Sequence, residues 1–217
     1  MGASVQLQER PRAGDPTRDS YGVVAVNPSF PANTFRELVE KAKAEPGKVP
    51  VAVPGVGSSY RIVLEQLSEA TNTKFQLVVY RGSALAATDV IAGHVPASFD
   101  SLVALGPHVK SGALRALAVL SPTRSPDLPT TAEAGMPADV VMHGYIGVMA
   151  PANTPRPIIE RLNTEINAIL RQADTMEQAR NAGLRLSHGS SEQFRAVMDK
   201  TTDVYGRVIK SANIKPD

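Results

Sequence analysis

VPVAVPGVGSSYRIVLEQL, Val49 to Leu67, carries three signals in succession. VPVAV is an apolar, β-branched run of strand length, while Ile62, Val63, Leu67 and Ala70 recur at helical spacing. Between them stands Gly55-Val56-Gly57-Ser58-Ser59, a turn that supplies two flexible residues and two candidate helix caps. A strand that passes through a glycine turn directly into a helix opens a βα unit, and the flanking sequence keeps that rhythm.

Upstream, YGVVAVNPSF (Tyr21 to Phe30) reads as a buried strand, stopped by Pro28 and Pro31. Thr34 with Glu37 three residues on is a capping-box pattern, and Phe35, Leu38, Val39 and Ala42 repeat at helical spacing until Pro46-Gly47. Downstream, the helix after the turn closes near Thr71-Asn72, and KFQLVVY (Lys74 to Tyr80) gives a strand. A helix from Ser83 to Ala92, a strand near Val95 to Phe99, a helix around Leu102 to Lys110 and the strand LRALAVL (Leu114 to Leu120) follow. Such alternation argues a doubly wound α/β lobe on a parallel sheet. A Pro-rich stretch, Ser121 to Pro137, then leads to a strand from Tyr145 to Pro151 and a mainly helical remainder. There Ile158, Ile159, Leu162, Ile166, Ile169 and Leu170 form one apolar stripe, and Phe194, Val197, Met198, Tyr205, Val208 and Ile209 a second, both expected to be packing faces.

With 217 residues and 42% apolar content, the chain is long enough to bury a sizeable core. Its 23 Lys and Arg against 21 Asp and Glu form no block, which argues against a nucleic-acid partner or a membrane-surface patch. The absence of cysteine removes disulfides, thiolate metal sites and cysteine nucleophiles. MGASVQLQERPRAGDPTRD, residues 1–19, is polar and lacks the apolar core of a secretion signal, so it reads as a flexible tail.

The ligand crevice of a doubly wound sheet lies beyond the carboxyl ends of its strands. Gly55, Gly57, Ser58 and Ser59 occupy such a loop, where glycines admit close approach and helix-opening N–H groups with serine hydroxyls suit a carboxylate or phosphate. The bland alternative is that the serines only cap their helix. A dinucleotide fingerprint would need glycine at Tyr60, a nucleophile elbow would need it at Arg61, and no Gly-Lys-Ser/Thr follows for a P-loop. At the next strand end Tyr80, Arg81, Gly82 and Ser83 repeat the anion logic, and Asp100 ends another strand, where it either accepts from a ligand or holds a loop. His94, His108, His143 and His188 lack metal-ligand spacing, so no metal site is expected.

VNPSFPANTFRELVEKAKAEPGKV, GVGSS, YRGSALAATDVIAGHV, HVKSGALRALAVLSPTRSPDLPTTAEAGMP, IGVMAPANTPRPIIERLN and SANIKP keep an order and spacing that resemble the Bug family. These are the extracytoplasmic solute receptors of tripartite tricarboxylate transporters. The resemblance implies a type II periplasmic-binding-protein-like α/β fold that closes two lobes on a small carboxylate without metal or organic cofactor. By it, residues 31–142 form a complete doubly wound second lobe, and 20–30 with 143–217 a helix-rich, incomplete remnant of the first. Against the family pattern, the chain has no Gly-Gly pair for the first-lobe clasp and reads as N-terminally truncated. Arg61 replaces a histidine, Tyr60 a small polar residue, Pro96 an acidic one and Tyr145 a tryptophan. An incomplete first lobe exposes apolar faces, so a homo-oligomer is expected, while the same incompleteness weighs against a membrane transporter partner. The resemblance implies a periplasmic location; Met1 as natural start would imply a cytoplasmic one.

The ligand-binding set is therefore Gly55, Gly57, Ser58, Ser59, Arg61, Tyr80, Arg81, Gly82, Ser83 and Asp100, for a small organic carboxylate. The alternative is a receptor scaffold recruited as a cofactor-free isomerase, lyase or hydrolase, with Tyr60, Arg61, Tyr80, Asp100 or His143 as acid-base groups. A purely structural or interaction role is the third possibility.

Overall fold

The computed structural model describes the backbone of residues 4–5 and residues 22–122, 124, 127–138, 140–142, 147–181, 184 and 186–215. In chain order the elements are β1 (Ser4–Val5), β2 (Val23–Val26), α1 (Phe35–Ala44), β3 (Pro50–Pro54), α2 (Ser59–Thr71), β4 (Gln76–Tyr80) and α3 (Ser83–Ile91). They continue with β5 (Ala97–Asp100), α4 (Leu102–Lys110), β6 (Arg115–Val119), β7 (Val148–Met149), α5 (Arg156–Leu170), α6 (Ala173–Asn181) and α7 (Ser191–Ser211).

Five strands make the main sheet in the order β4-β3-β5-β2-β6. Each strand sends alternate side chains to opposite faces, so the sheet divides its core in two. Val24, Val26, Val51, Val53 and Phe99 join Phe35, Leu38, Val63 and Leu67 of α1 and α2 in one cluster. Val23, Ala25 and Ala52 join Ala86, Val90 and Leu105 of α3 and α4 in the other. Because both faces are covered, β2 reads as the continuous apolar run VVAV, every residue buried. The α1 face is fixed as its spacing predicts. Thr34 accepts from the Glu37 N–H, the Glu37 carboxylate accepts from the Thr34 N–H, and Phe35, Leu38, Val39 and Ala42 are buried.

Several sequence expectations need correction. The sheet is mixed: β3 pairs parallel with β4 and β5, but β2 runs antiparallel to both β5 and β6. Val23–Val26, grouped from the sequence with residues 143–217, is an interior strand of the main sheet, where its fully apolar composition finds cover on both sides. Within the expected tail, Ser4–Val5 is a strand that pairs antiparallel with Val148–Met149. Of the strand expected from Tyr145 to Pro151, only that dipeptide is seen, and Tyr145 lies outside the described residues. The α5 stripe is only half a packing face: Ile158, Leu162 and Ile169 are 50%, 44% and 50% exposed, whereas the opposite side carries the buried Asn167. Asn167 brackets Gly189, its Nδ2 donating to the Gly189 carbonyl at 2.9 Å and its Oδ1 accepting from the Gly189 N–H at 2.9 Å. That ties α5 to the loop that opens α7, where Phe194 and Val208 are buried as expected and Ile209 is exposed.

Candidate carboxylate-binding edge

The sheet register places the candidate residues together. Pro54 faces Tyr80 across β3 and β4, and Val51 faces Ala97 across β3 and β5, so three parallel strands end at one edge. Val23 opposes Asp100 there, and Val119 of β6 opposes Val23. The loops 55–58, 81–82 and 101 therefore share the edge at which α2, α3 and α4 begin.

The glycine-serine turn is built locally. Gly55 adopts φ 109°, which an L side chain resists, and accepts from the Ser58 N–H at 3.3 Å. Ser58 is the N-cap of α2, its hydroxyl accepting from the Arg61 N–H at 3.3 Å. The cap leaves that hydroxyl's own proton available to an acceptor. Arg61 curls beneath the turn, Nη1 donating to the Val56 carbonyl at 3.2 Å and Nε lying 3.8 Å from Glu65. Its Nε is buried and has no hydrogen-bond partner among the described residues.

Gly82, at φ 143°, caps α3 without a side-chain bond. The adjacent Ser83 turns its hydroxyl to Asp100, donating to Oδ1 at 2.9 Å, and the Ser101 N–H donates to the same oxygen at 2.6 Å. Asp100 is fully buried. Burial pushes its carboxyl above the ordinary range, against the lowering effect of the Ser101 and Ser83 donors. Tyr60, at the start of α2, shares a hydrogen bond with the Ser101 side chain; burial first, then the Asp100 carboxyl, push its phenol up. A Cβ at Gly22 would come within 3.1 Å of the Tyr60 ring, so the β2 entry is shaped around that ring.

Tyr80 does not join this cluster. Its phenol donates to Asp89 Oδ2 at 2.6 Å on α3, and His94 lies 3.4 Å from the other oxygen. Burial, followed by the Asp89 contact, pushes Tyr80 up to about 12, and the Tyr80 bond holds Asp89 below the usual carboxylate range. Arg81 is exposed at the edge. His143 lies outside the described residues. Among the described residues no three His, Cys, Asp or Glu are grouped to hold a metal, and no helix is long and apolar enough to cross a membrane. Ser101 was missed from the sequence, although an Asp-Ser pair before the helical LVAL is a readable cap signal.

A doubly wound α/β body with anion-suited helix starts gathered at one edge is the architecture of periplasmic-binding-protein-like solute receptors. The chain belongs to the tripartite tricarboxylate transporter family receptors, whose family model matches residues 16–214. A protein of the tcbD-tcbE intergenic region of Pseudomonas sp. strain P51 is 34% identical over 177 residues, 80% of this chain and 52% of its own length. BugT of Bordetella pertussis is 31% identical over 196 residues, 89% of this chain and 60% of that protein. This chain thus spans between half and two thirds of those relatives. Among solved structures, R. palustris Rpa4515 with adipate superposes with a TM-score of 0.81 at 28% identity, over 97% of this chain and 74% of that one. BugD, at 23% identity and TM-score 0.76, shares the fold over 100% of this chain and 69% of its own.

Proposed function

We propose that the chain binds a small organic carboxylate at the strand-end edge, as a solute receptor of its family. The observation that carries this is the convergence of the α2 and α3 starts, with Ser58, Ser59, Gly82 and Ser83, on one edge of the sheet. N–H groups and the positive ends of helix dipoles there favour an anion. In this reading Gly55 and Gly57 let the ligand approach the backbone, Ser58 and Ser59 donate to one carboxylate, Arg81 adds charge from the rim, and Arg61 holds the turn. Adipate in the Rpa4515 structure is the ligand precedent from a relative of 28% identity, and makes linear dicarboxylates the first panel to try. Delivery to a membrane transporter extends the same proposal.

Saturation-transfer NMR on a panel of mono- and dicarboxylates tests it. Transfer to at least one dicarboxylate, lost in Ser58→Ala/Ser59→Ala, supports the reading; no transfer to any of them refutes it. The same samples followed for hours distinguish a receptor, which leaves the ligand resonances unchanged, from the enzyme alternative, which produces new ones.

A further inference from the structure

We propose that Tyr60 is the specificity-determining residue of the carboxylate site: its side chain fills one of two crevices at the strand-end edge and leaves the other, beside Gly57 and Gly82, to a slender, unbranched acid. This rests on the carboxylate reading above and adds to it the shape of acid that is admitted.

A ligand crevice opens in an α/β sheet where the helices that leave neighbouring strands turn to opposite faces. This edge has two such places. After β3, α2 packs on the face it shares with α1, whereas α3, after β4, and α4, after β5, share the other face. Because β3 lies between β4 and β5, one crevice opens on each side of it.

The crevice between β3 and β5 is filled. Tyr60, in the first turn of α2, packs its ring against the cluster under α1 and α2, and it shares a hydrogen bond with Ser101, the N-cap of α4 on the opposite face. The side chain thus crosses the edge at the end of β5, where Asp100 is fully buried. On the β2 side there is no spare room: a Cβ at Gly22 would lie 3.1 Å from the Tyr60 ring and 3.0 Å from Leu120. From the helical remainder, α7 packs against α2 and sets Tyr205 near the Tyr60 phenol.

The crevice between β3 and β4 is open. A Cβ at Gly57 or at Gly82 would meet no atom within 4 Å. These glycines stand in the loops that leave two paired strands, whose ladder spacing is about 4.8 Å. Such a gap takes a carboxylate carried on a straight methylene chain. A ring or a branch beside the carboxylate needs the neighbouring volume, which the Tyr60 ring occupies.

Calorimetric titration of the full chain with adipate and with terephthalate, which carries its two carboxylates on a ring instead of a methylene chain, tests this. The wild type should bind adipate about tenfold or more tighter than terephthalate. Tyr60→Ser should narrow that preference to within about threefold, chiefly by tightening terephthalate, and Tyr60→Phe, which keeps the ring, should restore it. A wild type without preference for adipate overturns the proposal, as does Tyr60→Ser that keeps the preference. Should Tyr60→Ser fail to fold, Gly57→Val carries the test, because Gly57 lies outside the left-handed region and its new side chain enters open space. That variant should keep the wild-type Tm and lose about tenfold or more in adipate affinity; full affinity overturns the proposal. If neither acid binds, a straight-chain and a ring-bearing member of the NMR panel are compared instead. A wild type that binds none of the panel removes the carboxylate reading itself, a separate failure.

Discussion

Ser58 carries two jobs that substitution can pull apart. Its hydroxyl oxygen caps α2 by accepting from the Arg61 N–H at 3.3 Å, and its hydroxyl proton is free to meet a ligand. Ser58→Ala removes both. Loss of the cap costs about 1 kcal/mol, which for a chain of this size lowers Tm by about 2–4 °C. Loss of a hydrogen bond to a charged oxygen costs about 1.5–3 kcal/mol, or roughly 10- to 150-fold in Kd. Ser58→Asp separates the two. Its carboxylate caps as well as serine and gains about 0.3–1 kcal/mol from the helix N-terminus. The same charge about 4 Å from a bound carboxylate costs about 4 kcal/mol at an effective dielectric of about 20, near a thousandfold in Kd. Urea denaturation and calorimetric titration of adipate, run on the same three proteins, therefore should disagree in sign for the Asp variant: stability kept or raised, binding lost. Adipate bound equally tightly by wild type and Ser58→Asp would refute the role given to this turn, and Ser58→Ala that loses only stability would reduce Ser58 to a cap.

Asp89→Asn should lower the Tyr80 titration from about 12 toward the ordinary phenol value without reaching it, since burial as well as Asp89 raises it; ultraviolet titration against Tyr80→Phe isolates the signal. Asp100 is a carboxyl raised in the folded state, so its native form binds more protons than its unfolded form between the two pKa values. Its contribution to stability is present below the unfolded pKa of about 3.9 and is lost as pH rises through the folded one; Asp100→Asn should gain stability relative to wild type as pH rises from the unfolded value through the folded one, read as urea midpoints. The homo-oligomer expected from the sequence should form through the exposed side of α5. Ile158→Glu with Leu162→Glu should then shift sedimentation velocity from oligomer to monomer, and a wild type that is monomeric at every concentration denies it.

What the sequence made readable is what is encoded over a few residues. The Thr34–Glu37 box, the Ser58 cap and the β3–α2 turn each involve residues within a single turn of chain, and all three form as their spacing indicates. The family resemblance, carried by order and spacing over many segments, is likewise matched by the comparison. Strand direction is another matter: VVAV is equally apolar whichever way it runs, so nothing in its pattern says that β2 is antiparallel. Asp100 took its partner from Ser83, seventeen positions away, and Tyr80 took Asp89 as its partner. Both choices depend on how helices seat on the sheet. The α5 periodicity was legible, but periodicity cannot say which part of a stripe the fold covers.

The central position of β2 also sets a timetable. It separates β5 from β6, so β6 has no neighbour in the main sheet, and β5 has only β3, until Val23–Val26 is seated between them. Its register partners are Ala97–Asp100 on one side and Arg115–Val119 on the other. A ribosome adding roughly 5–20 residues per second needs roughly 5–20 s to travel from Val23 to Val119. For most of that interval, until Asp100 completes β5, an entirely apolar strand has been made while both of its partners are still to come.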